Sequence, residues 1–193
     1  MRAGNSKALI FAMSNSYKKK SASQLVISEV MSPSHSNFRG KIHGGHILSM
    51  MDSVAFACAS KHSGQYCVTA SVNTVDFLKP IEVGELVSMK AMVNYVGNSS
   101  MVVGIRVEAE NIQTGVVKHC NSSYFTMVAK DAEGNSVKVP GLVLESKEDA
   151  RRFLRSIERM RVKKIRSTEY SSEGFKVEDH LELLKTMNVS ISF

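Results

Sequence analysis

One helix limits what this chain can fold into, because it has almost no polar side to turn toward water. Residues 41–62, KIHGGHILSMMDSVAFACASKH, enter through two glycines. They then set Ile47, Leu48, Met50, Met51, Val54, Ala55, Phe56, Ala57, Cys58 and Ala59 around most of the circumference. A helix of that kind is buried, and the partner that buries it must come from the flanking sequence, which reads as strands. QLVISEVM (24–31) alternates as a short strand, and SPSHSNFRGKIHGG (32–45) is a loop punctuated by Pro, Ser, Asn and Gly. Four long strand-like runs follow the helix. QYCVTASVNTVDFL (65–78) ends at the breaker KPIEVGE. ELVSMKAMVNYV (85–96) puts Val87, Met89, Ala91, Val93 and Tyr95 on one face. MVVGIRVEAENI (101–112) puts Met101, Val103, Ile105, Val107 and Ala109 on one face, with Arg106, Glu108 and Glu110 on the other. VVKHCNSSYFTMVAKD (116–131) closes the series. Five strands with an apolar face and one apolar helix to cover it predict an α+β domain: a central helix wrapped by a curved antiparallel sheet. Its free edges point to self-association.

Beyond this body, at residues 23–140, the sequence divides into a basic, unstructured N-terminal segment, 1–22, and a C-terminal basic helix and tail, 141–193. Ser146 is placed to cap a helix over 146–166, with Glu148 and Asp149 in its first turn and Phe153, Leu154, Ile157, Met160 and Ile165 as a stripe to dock. A short helix is expected at 177–187. The formal net charge of +7 is gathered at Lys18–Lys20 and at 151–166, where eight Lys/Arg accompany one acid, Glu158. Aromatic residues do not interleave with these charges as a single-strand nucleic-acid platform requires. The run reads as a solvated face, with attraction of a polyphosphate ligand as the second reading. No apolar run is long enough to span a membrane. Three cysteines, Cys58, Cys67 and Cys120, make no disulfide framework and are expected to be reduced and buried in a cytoplasmic protein. The acid-poor N-terminus leaves an organelle-targeting reading open, and Met13 is an alternative start.

At 100° per residue, His46, Ser49, Ser53 and Ser60 fall on one stripe of the helix, with Asp52 at its edge. A partly solvated polar face would explain this. Yet no Lys, Arg or Glu lies between His46 and Ser60, so the stripe also reads as the small-residue lining of a cavity. A carboxylate there needs hydrogen bonds, a cation or a proton, and is a candidate base or nucleophile. Gly44 and Gly45 sit where free helix N–H groups can hold a developing oxyanion. Glycines followed by a carboxylate suit hydrolysis of an activated ester such as a thioester, whose thiolate leaves without strong acid assistance.

Three stretches, HSNFRGKIHGGHILSMMDSVAFACASKH, VTASVNTVDFLKPIEVGE and VNYVGNSSMVVGIRVEAEN, carry a resemblance. They are similar to the hotdog-fold acyl-CoA thioesterases of the YciA and brain acyl-CoA hydrolase type over residues 24–130. The shared pattern is N-x-x-G-x-x-H-G-G, an Asp seven residues on, then V-T and F-x-x-P-x-x-x-G-[DE]. The resemblance implies hydrolysis of acyl-coenzyme A with no cofactor beyond the coenzyme A of the substrate. It also implies a homodimer, assembled as a trimer of dimers. It places the catalytic carboxylate on Asp52, a loop asparagine on Asn37, and the thioester-polarising amide on Gly44 or Gly45. Substrate contacts are expected from His43, Lys79, Gly97, Ser99 and Ser100. Where the family often has G-R-T-S, this chain has Gly97-Asn98-Ser99-Ser100, and Lys79 or the basic helix would have to supply the missing charge. His43 and His46 have neither a cysteine nor a third histidine near them in sequence, so no metal site is expected. Ser49, His46 and Asp52 share one helix without a nucleophile elbow, which excludes a serine-esterase triad. The alternative is a non-catalytic hotdog module that senses acyl-CoA. No DNA-binding domain is evident to serve it, and no nucleic-acid partner is expected.

Overall fold

The computed structural model describes residues 17–169 and 176–190. The targeting reading and the start at Met13 fall outside them. In chain order the elements are β1 (Tyr17–Lys19), β2 (Leu25–Val30), α1 (Gly44–Ser63), β3 (Tyr66–Val72), β4 (Leu86–Val96), β5 (Ser100–Asn111), β6 (Val116–Lys130), β7 (Gly141–Val143), α2 (Lys147–Glu169) and α3 (Leu181–Lys185). Short 3₁₀ turns lie at Lys20–Ala22, Pro33–His35 and Val177–His180. Five strands form one antiparallel sheet in the order β2-β4-β5-β6-β3, and α1 lies across it, giving the hotdog architecture the sequence predicts. Ile47, Met51, Val54, Ala55, Cys58 and Ala59 of α1 pack against Val87, Met89, Ala91, Val93, Met101, Val103, Ile105 and Val107 of the sheet. The helix ends at Gly64, in the left-handed conformation (φ 73°), whose N–H returns to the Ser60 carbonyl. Among the described residues no helix is long and apolar enough to cross a membrane.

The alternating faces hold throughout β5, but not to the end of β4. A bulge between Val93 and Tyr95 puts Val93 opposite Val103 and Tyr95 opposite Val102. Tyr95 therefore leaves the core face and meets the ring of Phe153 (centroids 4.8 Å apart). The run 65–78 is strand only as far as Val72. Its ladder is already offset by a bulge between Thr69 and Ser71. Beyond it the chain follows β6 through isolated bonds, Asn73 N–H to Tyr124 O and Leu78 N–H to Cys120 O. The motif FLKPIEVGE folds as a closed turn: Gly84 (φ 86°) donates to Met31 O, and the buried Glu85 accepts from the Glu82 amide and pairs with Lys118. Its acid is thus a structural residue.

Residues 17–22 lie within the expected N-terminal segment, yet they form β1 and a 3₁₀ turn, and β1 pairs in parallel with β7. Lys20 binds Asp149 at 2.5 Å. The compact body accordingly runs to Phe153, past the boundary expected at residue 140. Ser146 caps α2 as expected, its Oγ accepting from the Asp149 amide. A second unit, 154–193, holds the rest of α2 and the short helix α3. Leu154, Ile157 and Ile165 of the expected docking stripe are exposed.

Candidate active site

α1 begins after His43, whose side chain forms no cap. The amides of its first turn therefore point out of the helix without a capping side chain to absorb them. The two glycines there differ. A β-carbon on Gly44 would lie 3.1 Å from the Phe77 ring, whereas on Gly45 the nearest atom would be His43 Nδ1 at 3.8 Å. Phe77, itself half exposed, lies close against Gly44 and would have to shift slightly to admit a β-carbon there. At Gly45 a β-carbon would make no more than ordinary van der Waals contact.

Asp52 is exposed on this chain, as the partly solvated reading of its stripe allows. It is held nonetheless: Thr69 Oγ1 donates to its Oδ1 at 2.6 Å. Thr69 belongs to β3, which lies at one edge of the sheet. Sequence reasoning passed over it because threonine is common in strands for packing alone. The V-T of the motif was the available signal. Seven residues separate Gly45 from Asp52, about 10 Å along the axis at ~1.5 Å per residue. The glycine amides and the carboxylate of one chain therefore cannot grip the same carbonyl group.

Asn37 sits at the tip of the loop before α1. Its Oδ1 accepts from the amides of Arg39 (2.9 Å) and Lys41 (3.2 Å), and its own N–H donates to Lys41 O (2.7 Å). The side-chain carbonyl is spent on shaping the turn, so its exposed amide group is the part that can meet a ligand. The loop is fastened by His43 N–H to His35 O, by Ile42 N–H to Ile81 O and by the Lys41–Glu82 ion pair. His46 stacks on His35.

The remaining expected contacts do not converge within one chain. Lys79 follows the bond from Leu78 to Cys120 on β6, while Ser100 pairs with Val128. Eight residues of strand lie between those points, roughly 25 Å at ~3.3 Å per residue. Ser99 accepts from the Ala129 amide. Gly97 lines a cavity of about 700 Å³ with Tyr17, Lys18, Lys138, Pro140 and Phe153. The basic helix is less free than its composition implies. Glu148 hydrogen-bonds both Arg151 and Arg152, which hold its carboxyl down at about 2, and Glu158 pairs with Arg161.

The sequence profile of the thioesterase superfamily matches residues 39–116. Protein VdlD of Helicobacter pylori is 37% identical over 151 residues, covering 78% of this chain and 84% of that protein. An uncharacterized acyl-CoA thioester hydrolase of Bacillus subtilis, YkhA, is 34% identical over 144 residues, 75% and 84% of the two chains. The acyl-CoA hydrolase of Staphylococcus aureus, solved with butyryl coenzyme A, coenzyme A and coenzyme A disulfide, has a TM-score of 0.73 at 31% identity, covering 88% of this chain and 99% of that one. An apo-hexameric acyl-CoA thioesterase gives 0.76 at 30% identity, covering 78% and 97%. The family profile, these relatives and the curled five-stranded sheet around one helix together show a hotdog-fold thioesterase. Within that class, the chain belongs to the acyl-CoA thioester hydrolases. Three further structures of the S. aureus enzyme carry alanine in place of an asparagine, of an aspartate fifteen residues later, and of a threonine seventeen beyond that. Asn37, Asp52 and Thr69 stand at the same spacings here.

Proposed function

We propose that this chain hydrolyses acyl-coenzyme A to a free acid and coenzyme A, with Asp52 as general base or nucleophile. The observation that carries the assignment is the Thr69–Asp52 hydrogen bond. It occupies Oδ1 and leaves Oδ2 to take a proton from water, or to attack the thioester carbon and form an anhydride that water then opens. Either way the carbon–sulfur bond breaks, and the sulfur leaves as thiolate and takes up a proton. The Gly45 amide, with Gly44 beside it, stabilises the oxyanion, and Asn37 orients water or thioester.

The 10 Å between glycine amides and carboxylate favours a shared site. Two copies of α1 running antiparallel across a two-fold axis would bring Asn37 and Gly45 of one chain to Asp52 and Thr69 of the other. We assign the homodimer this role and a trimer of dimers as its assembly, a hexamer like the relative described as hexameric. The cavity beside Gly97 suits the nucleotide end of the substrate, with Lys18 and Lys138 supplying the charge that Asn98 lacks. Reduced, buried cysteines fit a cytoplasmic setting. A panel from acetyl- to palmitoyl-CoA, followed by release of free thiol, tests the activity. Turnover of at least one member is expected, with Asp52→Asn lowering kcat at least about a hundredfold and KM little. Binding without turnover across the panel would favour a sensor, and near-wild-type turnover by folded Asp52→Asn would remove Asp52 from the mechanism.

A further inference from the structure

Sequence spacing offered His43 and His46 as metal ligands and found no third. The fold gives His46 other neighbours. Glu29 stands on β2, His35 ends the 3₁₀ turn Pro33–His35, and His46 lies in the first turn of α1. One ligating atom from each falls within 4.8 Å of the other two. We propose that these three side chains bind a single divalent transition-metal ion, zinc being the ion their donors favour. The site uses none of the proposed hydrolytic side chains and does not depend on their assignment, although His35 precedes Asn37 by two residues and His46 follows Gly45.

Three observations support it. First, His46 Nε2 is buried and has no hydrogen-bond partner, a costly state for an imidazole nitrogen that a metal–nitrogen bond relieves. Second, Glu29 Oε1 lies 3.9 Å from His35 Nδ1, so a carboxylate already faces the imidazole pair. Third, Ser32 Oγ lies 3.4 Å from that same nitrogen, so it would release Nδ1 to the ion and stand where it can hydrogen-bond a metal-bound water. Two imidazoles and one carboxylate make a nitrogen-rich set that suits zinc, cobalt or nickel and disfavours calcium and magnesium. They leave a fourth tetrahedral position for water. The rings of His35 and His46 are now stacked, 3.8 Å apart and 20° from parallel. Coordination requires each ring to turn about its Cβ–Cγ bond, a torsion with broad minima, and the donors to close by roughly 1 Å to reach bonds of about 2.0–2.1 Å. The half-exposed Glu29 leaves an entry path. An ion there would join β2, the loop that carries Asn37 and the start of α1.

The test uses the full chain, stripped with chelator and dialysed. Titration with zinc should show one ion per chain. Cobalt(II) should give the visible bands of a tetrahedral nitrogen–oxygen site, and bound zinc should raise the melting temperature. Glu29→Gln, a conservative change at an exposed position, and His35→Asn should each weaken zinc binding at least about tenfold, while His43→Asn should leave it unchanged. Absence of cobalt or zinc uptake by the folded chain, or uptake unaltered by His35→Asn, would overturn the site.

Discussion

A hydroxyl that donates to a carboxylate at 2.6 Å does two things for Asp52: it selects one rotamer and it decides which oxygen is available. Hydrogen bonds to a charged group are worth about 1.5–3 kcal/mol, or roughly tenfold to a hundredfold in rate at about 1.4 kcal/mol per decade. Thr69→Val is therefore expected to lower kcat/KM by that range while leaving the melting temperature near wild type, and Thr69→Ser is expected to keep most of the activity. Equal rates for Thr69→Val and wild type would assign the threonine to packing. The glycines separate in the opposite way. Gly44→Ala brings a methyl to 3.1 Å from the Phe77 ring, a tight contact that the half-exposed Phe77 can ease by a small shift, so the variant's melting temperature should fall only slightly. Gly45→Ala has room and should fold normally but hydrolyse slowly, as thermal melts set beside turnover would reveal. At this scale the sequence singled out Asp52 and both glycines as candidates, since their types and spacing suit the proposed chemistry. It could not expose Thr69, whose role comes from a contact across seventeen residues, nor distinguish Gly44 from Gly45, whose difference lies in where Phe77 comes to rest.

Helix α1 closes on an unusual terminus. His62 is fully buried, its Nε2 lies 3.0 Å from Pro140 O, and its Nδ1 has no partner. Lys18 Nζ donates to its backbone carbonyl at 2.6 Å. Burial pushes its pKa down from 6.5, the bond to Pro140 opposes that, and the charge of Lys18 adds to it. The neutral ring donates from Nε2, and a proton on Nδ1 would meet no acceptor. In the unfolded chain His62 titrates normally. Below about pH 6.5 the unfolded state therefore binds the additional proton, and stability falls with falling pH until the folded value is passed. Wild type should lose more melting temperature between pH 7.5 and pH 5 than His62→Gln does. Parallel pH curves would place the acid sensitivity elsewhere. Element boundaries followed similar logic. The periodicity of β5 and the cap of α2 could be read because each is local. The bulge at Asn94 could not, since it is accommodated across the sheet, where a β-carbon on Gly104 would come within 2.2 Å of Asn94 Nδ2. β1 was hidden for the same reason: three residues acquire strand geometry only from Gly141–Val143.

At the scale of the molecule, a site divided between chains has an arithmetic signature. Asn37→Ala and Asp52→Ala homodimers should both be inactive. Refolding an equal mixture makes about half the dimers mixed, with half their sites intact, so roughly a quarter of wild-type activity should return. Mutants refolded separately and combined at assay provide the control, and verified mixed dimers without recovery would put the site within one chain. The nucleotide end makes a second prediction. Lys138→Gln should raise KM for acyl-CoA, most strongly at low salt, and leave KM for a short thioester lacking the nucleotide unchanged. Equal effects on both substrates would remove Lys138 from substrate binding. The exposed edge of β3 was beyond the reach of sequence reasoning, because an apolar helix signals burial without saying whether its own chain or a second copy completes the cover.

The interior position of Cys58, Cys67 and Cys120 has a redox consequence. A hydrolase of acyl-CoA liberates a thiol at every turnover, and that thiol oxidises to disulfides that trap accessible cysteines by exchange. Exchange needs a thiolate within reach. Burial pushes the Cys58 thiol up to about 12 and raises that of Cys120, and all three sulfurs are shut away from solvent. The folded enzyme incubated with coenzyme A disulfide should therefore gain no mass, whereas the same chain in denaturant should form mixed disulfides. An enzyme built this way is insulated from its own product.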